Sequence, residues 1–307
     1  IHLAETGEHL ISGNGELHLE IIEYKIVNEK KVQIITSAPI VVYREALLAG
    51  SPVVEGKSPN KHNRIKVFVE PLEPATIQAI LDGVVKEGRP KGREVWEKLV
   101  ELGMDRDDAK AIYDIHNASV FINATKGVQY LNEVEELMIQ GFEEALDQGP
   151  LAKEKMSGVK VKIVDATLHE DNIHRGPAQM IPTAKRAIYA AMLTAGVSLL
   201  EPKQKVLINT MQEYAGNVIT LTNGRRGTLV DMQQEGENAV VITVLPVAEM
   251  FGFANDLRGV TQGRAIWYQE YAGYHPMPKE LVAKIVKQIR ERKGERPDPP
   301  TAAFFME

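Results

Sequence analysis

Between Val128 and Leu146, apolar residues recur every three or four positions in this chain of 307 residues. That spacing predicts a helix with one apolar stripe, and the acidic residues fall largely on its other face. Gly149 and Pro150 follow at once and predict the end of the helix. We interpret the whole stretch 94–146 as helical.

Alternation of apolar and polar residues predicts strands elsewhere. Residues 158–168 (GVKVKIVDATL) indicate a strand facing a core on one side, and residues 183–196 (TAKRAIYAAMLTAG) indicate a helix that ends at Gly196. Upstream, residues 40–47 (IVVYREAL) begin another strand, whose partner should be residues 63–72 (NRIKVFVEPL).

The first 37 residues combine strand-like and helix-like patterns. Residues 7–13 and 31–37 predict strands on either side of a helix over residues 16–29. This is about half of a small α/β domain. Because the chain begins with Ile1 rather than Met and starts inside such a unit, we expect it to be a fragment.

The C-terminal third contains an internal repeat with an offset of 36 residues. The pattern E-x-x-G-x4-L-x5-G runs through Glu213, Gly216, Leu221 and Gly227, and again through Glu249, Gly252, Leu257 and Gly263. Each copy places a helix between strands. The predicted order is therefore βαββαβ, the ferredoxin-like motif, with two quasi-equivalent halves. An amphipathic helix over residues 279–293 is predicted to pack onto a neighbouring domain.

Composition narrows the possible chemistry. The chain contains no cysteine, which excludes a thiol nucleophile, a disulfide framework and a Cys-ligated metal site. No apolar run approaches the roughly 20 residues that span a bilayer, and the N-terminus lacks the basic and apolar regions of a signal peptide. We therefore expect an unexported protein of the cytosol.

The net charge of −6 is unevenly distributed. Residues 94–148 carry 13 acidic and four basic side chains, whereas residues 151–230 carry six acidic and 11 basic ones. A basic sector in an acidic protein can contact phosphate backbones locally. On charge alone, ordinary solvated surfaces explain the same distribution.

Two short patterns suggest nucleotide or metal binding and do not support it. In GNG at 13–15 the third glycine of a dinucleotide loop is missing, and Glu16 and Glu20 would repel a pyrophosphate. His169 and His174 are five residues apart in a predicted loop, which is not the helical spacing of a metalloprotease. No G-x4-G-K-[ST] is present, so this chain alone should not hydrolyse GTP.

Two predicted loops remain of interest. Residues 58–64 (SPNKHNR) and 169–177 (HEDNIHRGP) offer amide, imidazole and cationic groups with little apolar content. Such groups contact phosphates and base edges, and Gly and Pro fix the shape of a protruding loop. From composition alone, exposed structural turns remain an open alternative.

Several segments, in the same order, resemble translation elongation factor 2. They are residues 12–21 (SGNGELHLEI), 58–64, 125–133 (TKGVQYLNE), 165–191 (DATLHEDNIHRGPAQMIPTAKRAIYAA), 223–227 (NGRRG) and 245–265 (LPVAEMFGFANDLRGVTQGRA). The resemblance covers essentially the whole chain, and IHRG at 173–176 with its flanks is highly specific.

This resemblance implies an α+β, multidomain fold. Residues 1–38 would be part of a ferredoxin-like domain III, and residues 39–202 a domain IV similar to the second domain of ribosomal protein S5. Residues 203–275 would form the ferredoxin-like domain V, and residues 276–307 a C-terminal helix and tail that pack back on domain IV. The G domain, which binds GTP and Mg²⁺ in the family, is missing, so neither a cofactor nor enzymatic activity is expected of this chain.

In the family, domain IV enters the decoding region of the small ribosomal subunit and helps move tRNA and mRNA by one codon. His174 matches the histidine that is converted to diphthamide. The residues matched to the ribosome- and tRNA-contacting tip are Ser58, Pro59, Asn60, Lys61, His62, Asn63, Asp171, Asn172, Ile173, Arg175 and Gly176. Pro177 and Ala178 stand where the eukaryotic pattern has glycines, which favours an archaeal origin.

The partners implied by the resemblance are the ribosome, with its rRNA, the tRNA anticodon arm and mRNA, and the diphthamide-synthesis enzymes. A cytoplasmic monomer without membrane contact is expected. Two other functions stay open. One is a stand-alone RNA-binding protein, and the other is a small-molecule kinase with the S5-like fold, which would need a glycine-rich phosphate loop that we do not find.

Overall fold

The computed structural model describes residues 2–3, 9–11, 13, 16–37 and 39–306. The strands are β1 (His2–Leu3), β2 (His9–Leu10), β3 (Arg44–Leu47), β4 (Val54–Lys57), β5 (Arg64–Pro71), β6 (Ile112–His116), β7 (Ser119–Asn123), β8 (Val159–Thr167), β9 (Val197–Met211), β10 (Thr228–Glu235), β11 (Asn238–Pro246) and β12 (Ile266–Pro276). The helices are α1 (Glu16–Tyr24), α2 (Pro74–Leu81), α3 (Arg93–Glu101), α4 (Arg106–Lys110), α5 (Leu131–Asp147), α6 (Pro177–Ala195), α7 (Gln212–Gly224), α8 (Phe253–Val260), α9 (Lys279–Arg292) and α10 (Ala302–Met306).

The chain divides into two compact units, each made of two separate stretches of sequence. The smaller unit is Ile1–Val42 with Glu201–His275, and the larger is Tyr43–Leu200 with Pro276–Glu307. Helices combined with mixed and antiparallel sheets confirm the predicted α+β class.

The larger unit is built on a sheet of five strands in the order β4-β5-β8-β7-β6. Neighbouring strands are antiparallel, except that β7 and β8 run parallel. Successive residues of β7 face opposite sides of the sheet. Phe121 stacks on Phe142 of α5, with ring centroids 4.9 Å apart, whereas Val120 and Ile122 join a second core with Leu99 of α3. Helices therefore cover both faces of this sheet.

The interpretation of residues 94–146 as continuously helical is wrong, because a hairpin of β6 and β7 interrupts the helices. Asn117 and Ala118 form its two-residue turn, with φ angles of 49° and 53°. Positive φ at both central residues is the geometry of a type I′ turn, which matches the twist of the flanking strands. The alternation in Ile112–His116 is a strand signal inside an otherwise helical pattern.

Three other predictions are corrected. Strand β3 pairs with residues 197–200 of β9, not with β5, whose partners are β4 and β8. Residues 31–37 have no regular secondary structure, and Ile35 is fully exposed; among the described residues no strand offers them a partner. Helix α6 begins at Pro177 rather than near Thr183, since proline fits the first turn of a helix.

The start of the chain is described only in part. Helix α1 lies where a helix was predicted, and a π-helical turn, Lys25–Glu29, extends it. Of the strand predicted over residues 7–13, His9 and Leu10 form β2, which pairs with β1. Asn14 and Gly15 of the glycine motif lie outside the described residues.

In the smaller unit, the part after residue 200 has the predicted βαββαβ order. The strands lie in the order β10-β11-β9-β12. Helices α7 and α8 contribute Val218 and Leu257 to a common core with Ile208 of β9 and Val241 of β11, so both pack on one sheet. The repeat glycines differ in conformation: Gly216 lies inside α7, whereas Gly252 precedes α8 with a φ of 70°.

Helices α9 and α10 belong to the larger unit although they follow the smaller one in sequence. The Arg290 side chain donates from Nη1 to the Leu151 carbonyl at 3.1 Å. Lys293 forms an ion pair with Glu154, with 2.8 Å between Nζ and Oε1. On α10, the Phe305 ring meets Tyr189 of α6 edge-on, with centroids 5.1 Å apart. The end of the chain is thus fixed to elements made much earlier.

Candidate functional site

Two loops lie side by side at one end of the larger sheet. The first, residues 58–63, joins β4 to β5 and is here called the Asn loop. The second, residues 168–176, joins β8 to α6 and is here called the His loop; it contains a 3-10 turn, Asn172–Arg175. Strands β5 and β8 pair with Arg64 opposite Thr167, so the two loops must emerge together.

The Asn loop is fixed by its own polar groups. The Ser58 amide donates to the Asn63 carbonyl at 2.9 Å, and the Lys61 amide donates to the Ser58 carbonyl at 2.7 Å. Lys61 adopts a φ of 61°, which reverses the chain at this point. The Asn60 Oδ1 atom accepts from the Ser58 hydroxyl at 2.5 Å and from the His62 amide at 3.1 Å. These bonds make the loop a compact turn.

Side-chain amides connect the Asn loop to the His loop. The Nδ2 atoms of Asn60 and Asn63 donate to the His174 carbonyl at 3.1 and 2.7 Å. The Asn63 Oδ1 atom accepts from the His169 amide at 3.0 Å. In addition, the main-chain N–H of Asn60 donates to Oε1 of Gln179, which lies in the first turns of α6, at 2.9 Å.

Three imidazoles meet where the loops touch. The ring centroid of His174 lies 4.5 Å from that of His169 and 4.7 Å from that of His62, and the third distance is 5.1 Å. The Asp171 amide donates to His169 Nδ1 at 3.0 Å. That bond makes Nδ1 an acceptor, so a neutral His169 carries its proton on Nε2. The His62 ring is exposed and the other two are half-buried.

The predicted contact residues separate into outward and inward side chains. The outward ones are Pro59, Lys61, His62, Asp171, Asn172 and Ile173. Of these, the apolar residue Ile173 is 79% exposed. Asn60, His174 and Gly176 are half-buried. Ser58, Asn63 and Arg175 are buried and hold the loops from inside, so in this conformation they cannot touch a partner directly.

Arg175 departs most from its expected role. Its side chain is buried, its Nη2 atom lies 2.7 Å from a Glu133 carboxylate oxygen, and its guanidinium lies over the Tyr130 ring at 4.3 Å. Its Nε and Nη1 atoms have no hydrogen-bond partner among the described residues. Arg175 therefore anchors the His loop to the start of α5. Tyr130 and Glu133 were not assigned to the site, although both lie in the 125–133 segment that carries the resemblance.

Two properties of the described residues bear on other functions. Within that part of the chain, no group of three or more His, Asp or Glu side chains is arranged to hold a metal ion. No described helix is both long and apolar enough to cross a membrane.

Three family models define the class of protein to which the chain is similar. The family model for elongation factor G, domain III, matches residues 3–38, the model for elongation factor G, domain IV, matches residues 83–196, and the model for the elongation factor G C-terminus matches residues 198–285. Three consecutive domains of one class of translation factor thus follow each other along the chain.

The individual relatives are archaeal proteins named elongation factor 2. That of Thermococcus onnurineus (strain NA1) is 54% identical over 297 residues, which are 96% of this chain and 41% of the relative. That of Pyrococcus furiosus is 54% identical over 298 residues, again 41% of its length. That of Methanopyrus kandleri is 53% identical over 304 residues, 24% of its length.

The chain belongs to the elongation factor 2 family, as the quoted segments predicted, and its relatives confirm the archaeal type. It spans about two fifths of the length of the first relatives and corresponds to the domain III to C-terminal part of a translation elongation factor.

Proposed function

We propose that this chain is the ribosome-engaging part of a translation elongation factor 2 and that His174 is the histidine converted to diphthamide. The observation that supports this best is the position of His174. Its imidazole is half-buried, next to exposed His62, in a loop fixed by two neighbouring amides. A modifying enzyme can approach such a side chain, and the loops around it keep it in one place.

The two loops would enter the decoding region and act by position and charge. Diphthamide extends the imidazole by an arm that ends in a quaternary ammonium, and the codon–anticodon helix offers anionic backbone and base edges to such a cation. Lys61 and His62 are exposed beside His174 and would share this surface. The chain needs no cofactor for this role, because GTP and Mg²⁺ would be bound by the G domain of the full-length factor.

The remaining partners follow from that role. They are rRNA, the tRNA anticodon arm, mRNA and the diphthamide-synthesis enzymes, met in the cytoplasm by a monomeric factor. Translocation would depend on GTP hydrolysis in the G domain, and this chain alone would have no enzymatic activity. A stand-alone RNA-binding protein is the alternative, and tight binding of free RNA by this chain without ribosomes would favour it.

The mass of the natively expressed protein tests the modification. A peptide containing His174 should be heavier than its sequence predicts, because the added group is covalent. His174→Ala in the full-length factor should abolish both the added mass and the toxin-dependent ADP-ribosylation that the family undergoes there, while folding and GTP binding stay intact. His116→Ala is the matched control, since His116 lies on β6 and bonds to Asp147 at 2.9 Å.

Two results would count against the proposal. One is a native His174 peptide with its unmodified mass. The other is complete loss of GTP hydrolysis in the His174→Ala factor, because one loop contact should be a small part of a large ribosome interface.

A further inference from the structure

Two side-chain amides of the Asn loop converge on one carbonyl oxygen of the His loop. The Nδ2 atoms of Asn63 and Asn60 lie 2.7 and 3.1 Å from the oxygen of His174. A backbone carbonyl has two lone pairs, so this oxygen is fully used by the two donors. The carbonyl of His174 is therefore held from the neighbouring loop, while its amide donates within its own loop to the Asp171 carbonyl at 3.2 Å.

The side-chain amide of Asn63 also bonds to the start of the His loop. Its Oδ1 atom accepts from the His169 amide at 3.0 Å, and its Nδ2 atom donates to the Ser58 hydroxyl oxygen at 3.2 Å as well as to His174. Asn63 has no exposed surface. One buried amide thus ties the first and the last histidine of the His loop together and uses both its donor and its acceptor atoms.

We infer that Asn60 and Asn63 are positioning residues for the His174 imidazole. By fixing the His174 carbonyl, they set the ring 4.7 Å from His62 and 4.5 Å from His169. The next residue, Arg175, is held separately by its bond to Glu133. The inference rests on the proposed function insofar as the presented imidazole is the group to be modified.

Asn60→Asp removes the hydrogen-bond donor of Asn60 and keeps its acceptor. The carboxylate keeps an oxygen for the Ser58 hydroxyl and the His62 amide, but it cannot donate to the His174 carbonyl. Asn60→Ala removes the same donor without adding charge, so an effect shared by both variants comes from the lost bond. Asn63→Asp removes two donors at a buried position, and the half-buried Asn60 variants keep the test valid if that protein does not fold.

Asn123→Asp is the control. It makes the same chemical change in the same unit, where the lost donor reaches the Tyr113 hydroxyl at 2.6 Å. The first readout is the imidazole carbon–proton spectrum of His174 and His62 in this chain. Their rings are close enough for each to shift the signals of the other.

Loss of one hydrogen bond should raise the population of conformers with a released carbonyl by about fivefold. The His174 signals should then move and broaden in both Asn60 variants and stay in place in Asn123→Asp. Unchanged His174 signals in folded Asn60→Asp and Asn60→Ala would overturn the inference.

The second readout is the modified fraction of His174 in the full-length factor from its native host, compared at equal expression. It should fall in the Asn60 variants and not in Asn123→Asp. Equal modification in variants whose ring is displaced would also overturn the positioning role. An unmodified wild-type protein, by contrast, would refute the proposed function and leave the spectral result to decide the inference.

Discussion

At the scale of single residues, polar groups in the larger unit are placed where they organise loops. Asn63 and Asn60 do so at the His loop. Glu45 on β3 does so at the turn after α5: its buried carboxylate accepts from the amides of Leu151, Ala152 and Glu154 at 2.8, 2.7 and 3.1 Å. Amide donors alone do not offset burial of the charge, and burial raises the pKa of Glu45 to about 7.

Stability of the larger unit should therefore depend on Glu45 between pH 4.5 and about 7. The folded state binds the proton more tightly than the unfolded state, so this contribution is complete below pH 4.5 and is lost as pH rises through about 7. As the pH rises across that window, wild type should lose stability that Glu45→Gln keeps. The difference in free energy of unfolding between the two proteins should therefore change by up to about 3 kcal/mol in favour of the variant.

Urea denaturation of both proteins at several pH values measures this difference. Glu55→Gln, which removes a partly exposed carboxylate from β4, is the control for loss of an acidic group in the same unit. A constant difference between Glu45→Gln and wild type from pH 4.5 to 8 would contradict the assignment.

At the scale of elements, close packing of α5 against α6 depends on a glycine that helix propensity disfavours. A Cβ atom on Gly141 would lie 2.6 Å from the Ala184 Cβ and 2.7 Å from the Ile181 carbonyl oxygen. Gly216 in α7 is also inside a helix, but a Cβ there would meet no atom within 4 Å. The two glycines separate the packing effect from the propensity effect.

Gly141→Ala should destabilise the larger unit by roughly 1–3 kcal/mol, because the added methyl overpacks the contact between the helices. Gly216→Ala should stabilise the smaller unit by about 0.5–1 kcal/mol, because alanine loses less backbone entropy in a helix. Thermal and urea unfolding of each variant provide the comparison. If both substitutions stabilise, the close approach at Gly141 is not rigid.

The elements that could be predicted from the sequence are those whose pattern lies in a single short segment. The repeat predicted βαββαβ, because each of its strands and helices carries its own period. The two loops were assigned to one tip through the family resemblance, since their composition alone left exposed structural turns as an alternative. The partner of β3 lies some 150 residues later, at residues 197–200, and no local pattern contains that pairing. Burial of Arg175 likewise depends on Tyr130 and Glu133, which only the folded chain brings close.

At the scale of the whole molecule, the larger unit is completed by residues that follow the smaller unit. Arg290 of α9 donates to the Leu151 carbonyl, Lys293 just after α9 donates to the Lys153 carbonyl, and Phe305 of α10 covers Tyr189. Every one of these partners lies in the larger unit. The two units therefore differ in what they need from the C-terminal stretch.

Ending the chain at His275 should destabilise the larger unit and spare the smaller one. Amide hydrogen exchange should accelerate in α6 and in residues 149–154, while protection in α7 and β11 stays as in the intact chain. Phe305→Ala is the milder variant and should cost the larger unit about 1–2 kcal/mol. Equal loss of protection in both units would show that they do not unfold separately.

Because α9 and α10 follow the smaller unit in sequence, the larger unit is completed last during synthesis. A ribosome makes residues 43–200 of the larger unit before residues 201–275 of the smaller unit, and it makes α9 and α10 only after both. Nascent domains fold as units, beginning with those that emerge first. Here residues 201–275 can complete the smaller unit on the growing chain, while residues 43–200 of the larger unit still have their Tyr189 surface uncovered. That interval is when a chaperone would have something to bind.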